Sequence, residues 1–477
     1  MKKILPIFLI IFAIVFSVRA QKPVTIEMET DQAILDKLEQ WKDLKFGLLM
    51  HWGTYSQWGI VESWSLCSED EPWCTRKMKN YVDYCRAYSK LQQTFNPTRF
   101  EPEKWAEAAK YAGMKYVVFT TKHHDGFCMF DTRQTGYKIT DPGCPFHTDA
   151  KADVTKSIFE AFRDQGFWTG AYFSKPDWHS NDYWAEEWAT PDRNVNYNIK
   201  RHPERWQRFC DFTFNQIREL MSRYGKIDIL WLDGGWVSPG NNQDINMLKI
   251  ATMARSYQKD LLIVDRTVTG KYENYRTPEQ EIPEKPLDYP WETCMTMATS
   301  WSYVPGDIYK PANKIIHNLA EIVCKGGNYL LNIAPSPEGE WDDTAYTRLK
   351  EIGDWMKVNG EAIYFTRPID PYRSENICFT SIRDSSDSAI RAIYAIFLAG
   401  ENEKSMPASV LVRGVCPLNH CTVWLLGSSK KLNWKPEGKE GFRIFIPDHI
   451  RNHPPCNHAW TFKINLKNID GRVGIEP

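Results

Sequence analysis

Several stretches of the chain share one pattern, in which a run of apolar residues ends abruptly on a polar or charged side chain. The clearest stretch, at residues 227–236, reads IDILWLDGGW, so that a run of β-forming residues ends on Asp233 and two glycines follow. This pattern predicts a buried parallel strand that carries an acid at its carboxyl end. Asp-Gly is also common turn chemistry, so the pattern alone leaves two interpretations open: a carboxylate in a site, or the cap of a turn.

The same pattern recurs along the first three quarters of the chain, where predicted strands alternate with predicted helices. The strands are expected at residues 46–50, 115–121, 168–174, 227–233, 261–265, 291–295 and 328–333, and the helices at 32–45, 101–112, 154–165, 206–224 and 341–358. Alternating strands and helices with polar residues at strand ends predict an α/β fold, a (β/α) TIM-like barrel. Eight clean units cannot be counted, because residues 266–327 are Pro-rich with little helical signal. We therefore expect an irregular barrel.

Beyond about residue 360 the pattern changes to short β runs alone, at 389–398, 409–412, 423–426, 443–446 and 460–466. Such a series predicts a small C-terminal β-sandwich domain. The predicted division is therefore a catalytic barrel at residues 21–360 and a sandwich at 361–477. We expect the sandwich to be an accessory domain that stabilises the barrel rather than a ligand-binding domain.

Residues 1–20 have the pattern of a secretory signal peptide. Lys2 and Lys3 precede an apolar run at residues 4–16, and Val18-Arg19-Ala20 offers a cleavage site. The run is shorter than the ~18 to 20 residues that a membrane span needs. We expect export through the secretory route to a periplasmic or extracellular/lumenal location, with no membrane span in the mature chain.

The overall charge of the chain argues against a nucleic-acid partner, and its cysteines suggest at most one disulfide. Removing the signal peptide takes away three of the 59 basic residues and none of the 60 acidic ones, so the mature chain is slightly acidic. Such a balance does not favour a nucleic-acid partner. None of the 12 cysteines forms a CxxC motif, and Cys67 with Cys74 is the one close pair that suggests a disulfide.

Five blocks, in this order, resemble the α-L-fucosidases of glycoside hydrolase family 29. They are FGLLMHWGTYS at 46–56, YVVFTTKHHDGFCMFDT at 116–132, ILWLDGGW at 229–236, CKGGNYLLNIAPSPEG at 324–339 and EIGDWMKVNGEAIYFT at 351–366. The resemblance implies a retaining exo-acting glycosidase on an irregular (β/α) barrel with a C-terminal β-sandwich. It also implies that the partners are fucosylated oligosaccharides or glycoconjugates, and that no cofactor or metal is needed.

The resemblance also implies roles for individual residues. Asp233 matches the family's nucleophile, and a retaining mechanism needs a second carboxyl about 5 to 5.5 Å away. The positions that match the family's fucose pocket are His51, Trp52, Glu62, Trp64, His123, His124 and Tyr172, while Trp236 and Trp301 are expected to face the C5 methyl group of fucose. Side chains alternate along a strand, so His123 and His124 can both contact sugar only if the strand has already ended.

Two acids compete for the acid/base role. Glu292 follows Tyr289-Pro290-Trp291, which we interpret as a strand that enters the same rim, with aromatic surface that raises its pKa. Asp307 is the alternative, on the loop after Trp301, where some relatives carry their acid/base. The chain also has Met295 where some family members have arginine, which leaves subfamily and linkage preference open.

Two other classes of function stay open on the sequence alone. A non-enzymatic glycan-binding protein on the same fold is expected to lack the nucleophile, whereas Asp233 is present. A metal-dependent hydrolase is the other, because His51, His123, His124 and Asp125 are residue types that bind zinc. The oligomeric state is not predicted.

Overall fold

The computed structural model describes residues 27–465, except 68, 189, 385–388, 401, 402, 404 and 416–420. The predicted signal peptide at 1–20 and the end of the predicted sandwich, from residue 466, lie outside the described residues. The helices are α1 Gln32–Leu44, α2 Tyr81–Ser89, α3 Pro102–Tyr111, α4 Val154–Asp164, α5 Pro203–Arg223, α6 Met247–Tyr257, α7 Ala312–Cys324, α8 Asp343–Asn359 and α9 Asp448–Asn452.

Seven parallel strands build the first sheet. They are β1 Phe46–Met50, β2 Tyr116–Lys122, β3 Trp168–Ser174, β4 Ile229–Asp233, β5 Leu262–Asp265, β6 Glu292–Thr296 and β7 Asn328–Asn332, hydrogen-bonded in the order β5-β4-β3-β2-β1-β7-β6. Because the strands are parallel, their carboxyl ends meet at one rim, and the side chains that follow them converge there. The predicted fold class, an irregular TIM-like barrel, is confirmed.

The irregularity lies between β5 and β6, the two ends of the hydrogen-bonded order. The chain segment 273–280, which we call the closing segment, bridges this gap through isolated contacts. Glu273 pairs with Val264 of β5, and Glu279 pairs in parallel with Cys294 of β6. In addition, the backbone N–H of Gln280 donates to the carbonyl of Cys294. The closing segment thus takes the place of a regular eighth strand.

Most predicted elements of the barrel are present, with ends that shift by a few residues, whereas α2, α6 and α7 were not predicted. The helix α7 falls in the Pro-rich region where we expected little helical signal. Its buried residues Ile315, Ile316, Leu319, Ile322 and Val323 nevertheless recur at helical spacing, and it packs against β7 and against the C-terminal domain. The prolines that precede this helix, rather than a missing pattern, explain why it was not predicted.

The described part of the C-terminal domain contains eight antiparallel strands. They are β8 Arg367–Ser374, β9 Ile377–Arg383, β10 Ile390–Leu398, β11 Ser409–Val412, β12 Thr422–Leu425, β13 Lys431–Pro436, β14 Phe442–Phe445 and β15 Ala459–Asn465, in the order β11-β14-β13-β12-β15-β10-β9-β8. Phe379 of β9 and Val410 of β11 belong to one apolar core although their strands lie far apart in this order. The sheet therefore folds over onto itself, as expected of a sandwich. No helix among the described residues has the length and apolar character needed to cross a bilayer.

Candidate active site

The carboxyl ends of the barrel strands surround a pocket of about 500 Å³, a size typical of small-ligand sites. Its walls include His51, Glu62, Trp64, His123, Tyr172, Trp231, Asp233, Trp236, Arg266, Glu279, Cys294 and Trp301, and Glu71, Trp73 and Arg193 also line it. Four of these residues are carboxylic acids. The pocket therefore contains enough carboxyl groups to supply a pair that acts together.

Asp233 is the last residue of β4, as the sequence predicts, and its side chain is held from three sides. The hydroxyl group of Tyr172 donates to Oδ2 over 2.7 Å. Nη1 of Arg266 donates to Oδ1 over 3.1 Å, and the backbone N–H of Gly234 donates to the same oxygen over 2.8 Å. Gly234 has a φ of 87°, which lets the chain turn sharply after the strand.

These contacts keep Asp233 ionised. Burial alone would raise the pKa of this carboxyl group. The charge of Arg266 and the hydrogen bonds from Tyr172 and Gly234 outweigh burial and hold the pKa well below its usual value. Asp233 is therefore an anion with a fixed orientation, the state that a nucleophile requires.

Arg266 connects Asp233 to a second carboxylate of the pocket, Glu279. Its Nη2 forms an ion pair with Glu279 while Nη1 contacts Asp233, and its Nε donates to Thr277 over 3.1 Å. One guanidinium group therefore bridges the two carboxylates. The side chain of Glu279 is 42% exposed, so it also faces solvent at the pocket.

His51 follows β1 and presents one ring nitrogen to the pocket in a defined protonation state. The side-chain amide of Asn332 donates to the carbonyl of Trp301 over 2.7 Å, so its oxygen Oδ1 faces His51. This oxygen lies 2.8 Å from Nδ1 of His51 and can only accept, which places the proton on Nδ1. Burial lowers the pKa of His51 to about 4, so the ring is neutral at neutral pH and its Nε2 can accept a hydrogen bond.

Both adjacent histidines reach the site because β2 ends at Lys122, before them. His123 lines the pocket, and its Nδ1 lies 2.6 Å from the hydroxyl oxygen of Ser63. His124 does not line the pocket itself, but its Nε2 lies 3.7 Å from Oδ2 of Asp233. Burial lowers the pKa of His124 to about 4 and that of His123 well below its usual value. The pocket wall thus carries neutral imidazoles next to an anionic Asp233.

Glu62 is 1% exposed and lines the pocket. Its Oε1 is buried with no hydrogen-bond partner among the described residues. Burial, followed by the nearby charges of Glu279 and Asp233, raises the pKa of Glu62 to about 8. At neutral pH this carboxyl group therefore holds a proton, and it can donate a hydrogen bond into the pocket.

Four of the five predicted aromatic residues lie at the pocket, namely Trp64, Tyr172, Trp236 and Trp301, and Trp52 does not. The indole of Trp52 is 1% exposed, donates to the carbonyl of Ser336 over 3.0 Å and packs against Phe95, Phe100 and Trp105. The prediction that Trp52 contacts the ligand does not match this position, since its side chain points into the core.

The structure does not place Glu292 at the rim. It begins β6 rather than ending a strand, pairs with Asn328 at the start of β7, and is fully buried. Its carboxyl group accepts from the hydroxyl of Tyr116 over 2.6 Å and from the indole of Trp231 over 3.3 Å. Burial raises the pKa of Glu292 to about 7, as predicted, but the group does not line the pocket, whereas its donor Trp231 does.

Asp307, the alternative, also lies outside the pocket. Its carboxylate accepts from the backbone N–H groups of Ser300 and Ile308 over 3.0 and 2.7 Å, and from the side chain of Thr299. Burial would raise the pKa of Asp307, but these hydrogen bonds lower it below its usual value. The carboxylate thus stabilises its own loop.

The residues of the alternative metal-dependent hydrolase, His51, His123, His124 and Asp125, do not come together as one cluster. Asp125 accepts from the hydroxyl of Tyr88 over 2.8 Å, and the group whose ligand atoms converge is instead His123, His124 and Asp233, within 4.8 Å of one another. Both oxygens of Asp233 are already occupied by hydrogen-bond donors, one of them the Arg266 cation. A second cation at this place would be repelled by Arg266, so the three residues fit a metal ion poorly.

Arg266 and Glu279 are the site residues that sequence reasoning missed. Arg266 directly follows the strand residues 262–265, so the strand-end rule that identified Asp233 applies to it as well. Glu279 lies in the closing segment, whose isolated bridges give no periodic signal.

The sequence is similar to those of known α-L-fucosidases along most of its length. A sequence profile of α-L-fucosidase matches residues 13–361, and one of the α-L-fucosidase C-terminal domain matches 371–465. The chain is 28% identical to tissue α-L-fucosidase of Rattus norvegicus over 450 residues, 90% of each chain. It is also 28% identical to the tissue α-L-fucosidase of Homo sapiens over 445 residues, 90% of this chain and 89% of the human one.

Solved structures share the fold. α-L-Fucosidase isoenzyme 1 from Paenibacillus thiaminolyticus gives a TM-score of 0.74 at 27% identity, covering 91% of this chain and 100% of the other. A GH29 α-L-fucosidase from Bacteroides thetaiotaomicron, solved as a trapped covalent intermediate, gives 0.71 at 22% identity, covering 92% and 97%. Because the family profile spans well over half of the sequence, the chain belongs to the α-L-fucosidase family of glycoside hydrolases.

Proposed function

We propose that this protein is a retaining, exo-acting α-L-fucosidase that releases L-fucose from fucosylated glycans through a covalent fucosyl-enzyme. The observation that carries the proposal is the bridged pair of carboxylates, Asp233 and Glu279, on one guanidinium group in the pocket. Retaining glycosidases need two carboxyl groups about 5 to 5.5 Å apart, and a shared guanidinium supports a separation of that order. A pocket rather than an open cleft favours attack on a terminal sugar.

In the first step, a carboxylate oxygen of Asp233 forms a bond to the anomeric carbon, and the bond from that carbon to the leaving oxygen breaks. Glu279 enters this step in its protonated form and gives that proton to the leaving oxygen. In the second step, Glu279 takes a proton from water, the water oxygen bonds to the anomeric carbon, and the bond to Asp233 breaks. Two inversions at one carbon give net retention, and both residues return to their starting states.

We assign the acid/base role to Glu279 because of its position among the pocket acids. An acid/base must reach both the leaving oxygen and the incoming water. Glu279 is partly exposed and touches the same arginine as Asp233, whereas Glu62 is enclosed in the wall. Glu292 is fully buried and does not line the pocket, and Asp307 is engaged with its own loop.

The remaining pocket residues suit the recognition of fucose hydroxyls and its methyl group. His51, His123 and His124 are neutral at neutral pH, and a neutral imidazole can accept as well as donate. The protonated Glu62 adds a donor. Trp236 and Trp301 offer apolar surface, which we propose faces the C5 methyl group. The proposed partners are fucosylated oligosaccharides or glycoconjugates.

We also propose that the protein is exported through the secretory route. This proposal rests on the basic and apolar pattern of residues 2–20. Metal-dependent chemistry is disfavoured by Arg266 beside Asp233. A non-enzymatic glycan-binding role is disfavoured because the proposed nucleophile is present.

The first prediction concerns stereochemistry. We expect α-L-fucose to be the first sugar released from an α-L-fucoside, because two displacements at the anomeric carbon restore its configuration. Proton NMR spectra recorded before mutarotation distinguish the two anomers. Release of β-L-fucose first would contradict the proposal.

The second prediction concerns the nucleophile. Asp233→Gly is expected to lower kcat by more than about 1,000-fold, a rise in barrier of about 4 kcal/mol, because the covalent route is closed. Added azide should restore cleavage of an aryl fucoside and yield β-L-fucosyl azide, since azide attacks from the vacated side. If the variant keeps more than a tenth of wild-type kcat, about 1.4 kcal/mol, the assignment fails.

The third prediction separates the candidate acids by leaving-group dependence. Glu279→Ala should slow natural fucosides far more than aryl fucosides with good leaving groups, because only poor leaving groups need protonation. Glu292→Ala and Asp307→Ala serve as matched controls and should lack this dependence. If Glu292→Ala or Glu62→Gln shows the dependence and Glu279→Ala does not, the acid/base role passes to that residue.

The fourth prediction concerns pH. The pKa of Glu62 is raised to about 8, so this group is neutral below pH 8 and becomes an anion above it. A second anion near Asp233 and Glu279 disfavours the sugar-binding state, so kcat/KM should fall as pH rises through about 8. Glu62→Gln stays neutral at every pH and should lose this limb. An unchanged limb in Glu62→Gln would show that another group titrates there.

A further inference from the structure

One aromatic residue that lines the pocket, Trp73, is largely exposed to solvent. Trp73 is 60% exposed, in the loop between Cys67 and α2. Single exposed apolar side chains are common on protein surfaces and need no explanation by themselves. Trp73 differs because it borders the pocket and because its neighbour Cys74 is buried, which shows that the loop itself is anchored.

The indole of Trp73 is held in place by a chain of polar contacts. Its Nε1 donates to Oε2 of Glu71 over 2.8 Å, and Glu71 forms an ion pair with Arg193. Asp70 forms a second ion pair with Arg193. We call the group of Glu71, Trp73 and Arg193 the Trp73 rim.

The rim is connected to the pocket wall through Arg193. Its guanidinium group lies 5.0 Å from the ring centre of Trp64 and 5.3 Å from that of Trp236. Both tryptophans line the pocket, so Arg193 fixes the rim relative to the place proposed for fucose. A rigid aromatic face costs little conformational entropy when it binds a ligand.

The chemistry of the rim fits a sugar ring. Pyranose rings have apolar faces of C–H groups that stack on indole, and hydroxyl edges that bond to charged side chains. The Trp73 rim offers an exposed indole face with a carboxylate and a guanidinium beside it. A sugar linked to fucose leaves the pocket on its solvent-exposed side, where Trp73 is the most exposed large apolar residue of the lining.

Resting on the proposed function, we propose that the Trp73 rim is the binding site for the sugar next to fucose, and that Trp73 stacks on the ring of this sugar. The protein is then selective for fucose linked to another pyranose over fucose linked to a small leaving group. Trp73 is a specificity residue, since it contacts the departing sugar and not the fucose.

The experiment compares two substrates. α-L-Fucosyl fluoride has no sugar beyond fucose and needs no proton on its leaving group. The second substrate is the fucosylated disaccharide that the wild type cleaves fastest among α-1,2, α-1,3, α-1,4 and α-1,6 linkages. Trp73→Ala should lower kcat/KM for the disaccharide by about tenfold, which corresponds to about 1.4 kcal/mol, and should change kcat/KM for the fluoride by less than about threefold.

Two variants control for the removal of an aromatic ring. Trp73→Phe keeps a flat apolar face and should recover most of the disaccharide activity. Tyr257→Ala removes an aromatic residue that is 51% exposed at the end of α6, and it should change neither substrate. Circular dichroism and Tm establish that each variant folds.

The outcomes separate this inference from the proposed function. Equal losses on both substrates in Trp73→Ala, or no loss on either, would overturn the Trp73 assignment while leaving the fucosidase activity intact. A wild type that cleaves the fluoride but no fucosylated disaccharide would also overturn it. A wild type that cleaves neither substrate contradicts the proposed function itself.

Discussion

The geometry of the site depends on the guanidinium group of Arg266 between two carboxylates. Without this cation, burial would raise the pKa of the Asp233 carboxyl group. With Arg266 in place, Asp233 stays ionised despite its burial. The arginine is positioned by the end of β5, where the preceding residue, Asp265, is locked in a buried ion pair with Lys175 over 2.5 Å. Lys175 in turn follows β3. The ends of the neighbouring strands β3, β4 and β5 therefore position the charges of Lys175, Asp233 and Arg266 relative to one another.

Neutral histidines complete this charge pattern. His124 lies 3.7 Å from Asp233, and a protonated imidazole there would compete with the anomeric carbon for the carboxylate. Burial prevents this by lowering the pKa of His124 to about 4. For His51 the structure adds a fixed tautomer, because Asn332 at the end of β7 can only accept from Nδ1. Burial disfavours the charged form of each imidazole. The rings therefore stay neutral and keep a nitrogen that can accept a hydrogen bond from a hydroxyl group.

The strand-end rule explains how much the sequence could predict. It located Asp233 and His51, because an apolar run followed by a polar residue reports the end of a buried strand. It failed for Glu292, since an aromatic run followed by an acid looks the same when the acid begins a strand. The buried carboxyl group is tolerated there because Tyr116 and Trp231 donate to it, and that pairing is visible only in three dimensions. The wrong prediction for Trp52 has a similar cause, because the sequence does not distinguish a tryptophan that packs in the core from one that lines the pocket.

The position of Glu279 follows from the irregular closure of the barrel. A residue inside a regular strand is either enclosed in the barrel, as Glu292 is, or covered by the outer helices. A proposed acid/base needs contact with both the pocket and water, and the closing segment provides it. Its pairing with Cys294 fixes the backbone near the rim, while the few bridges leave the side chain of Glu279 partly exposed. The gap between β5 and β6, which prevents a clean count of eight units in the sequence, is therefore what brings a second carboxylate to Arg266.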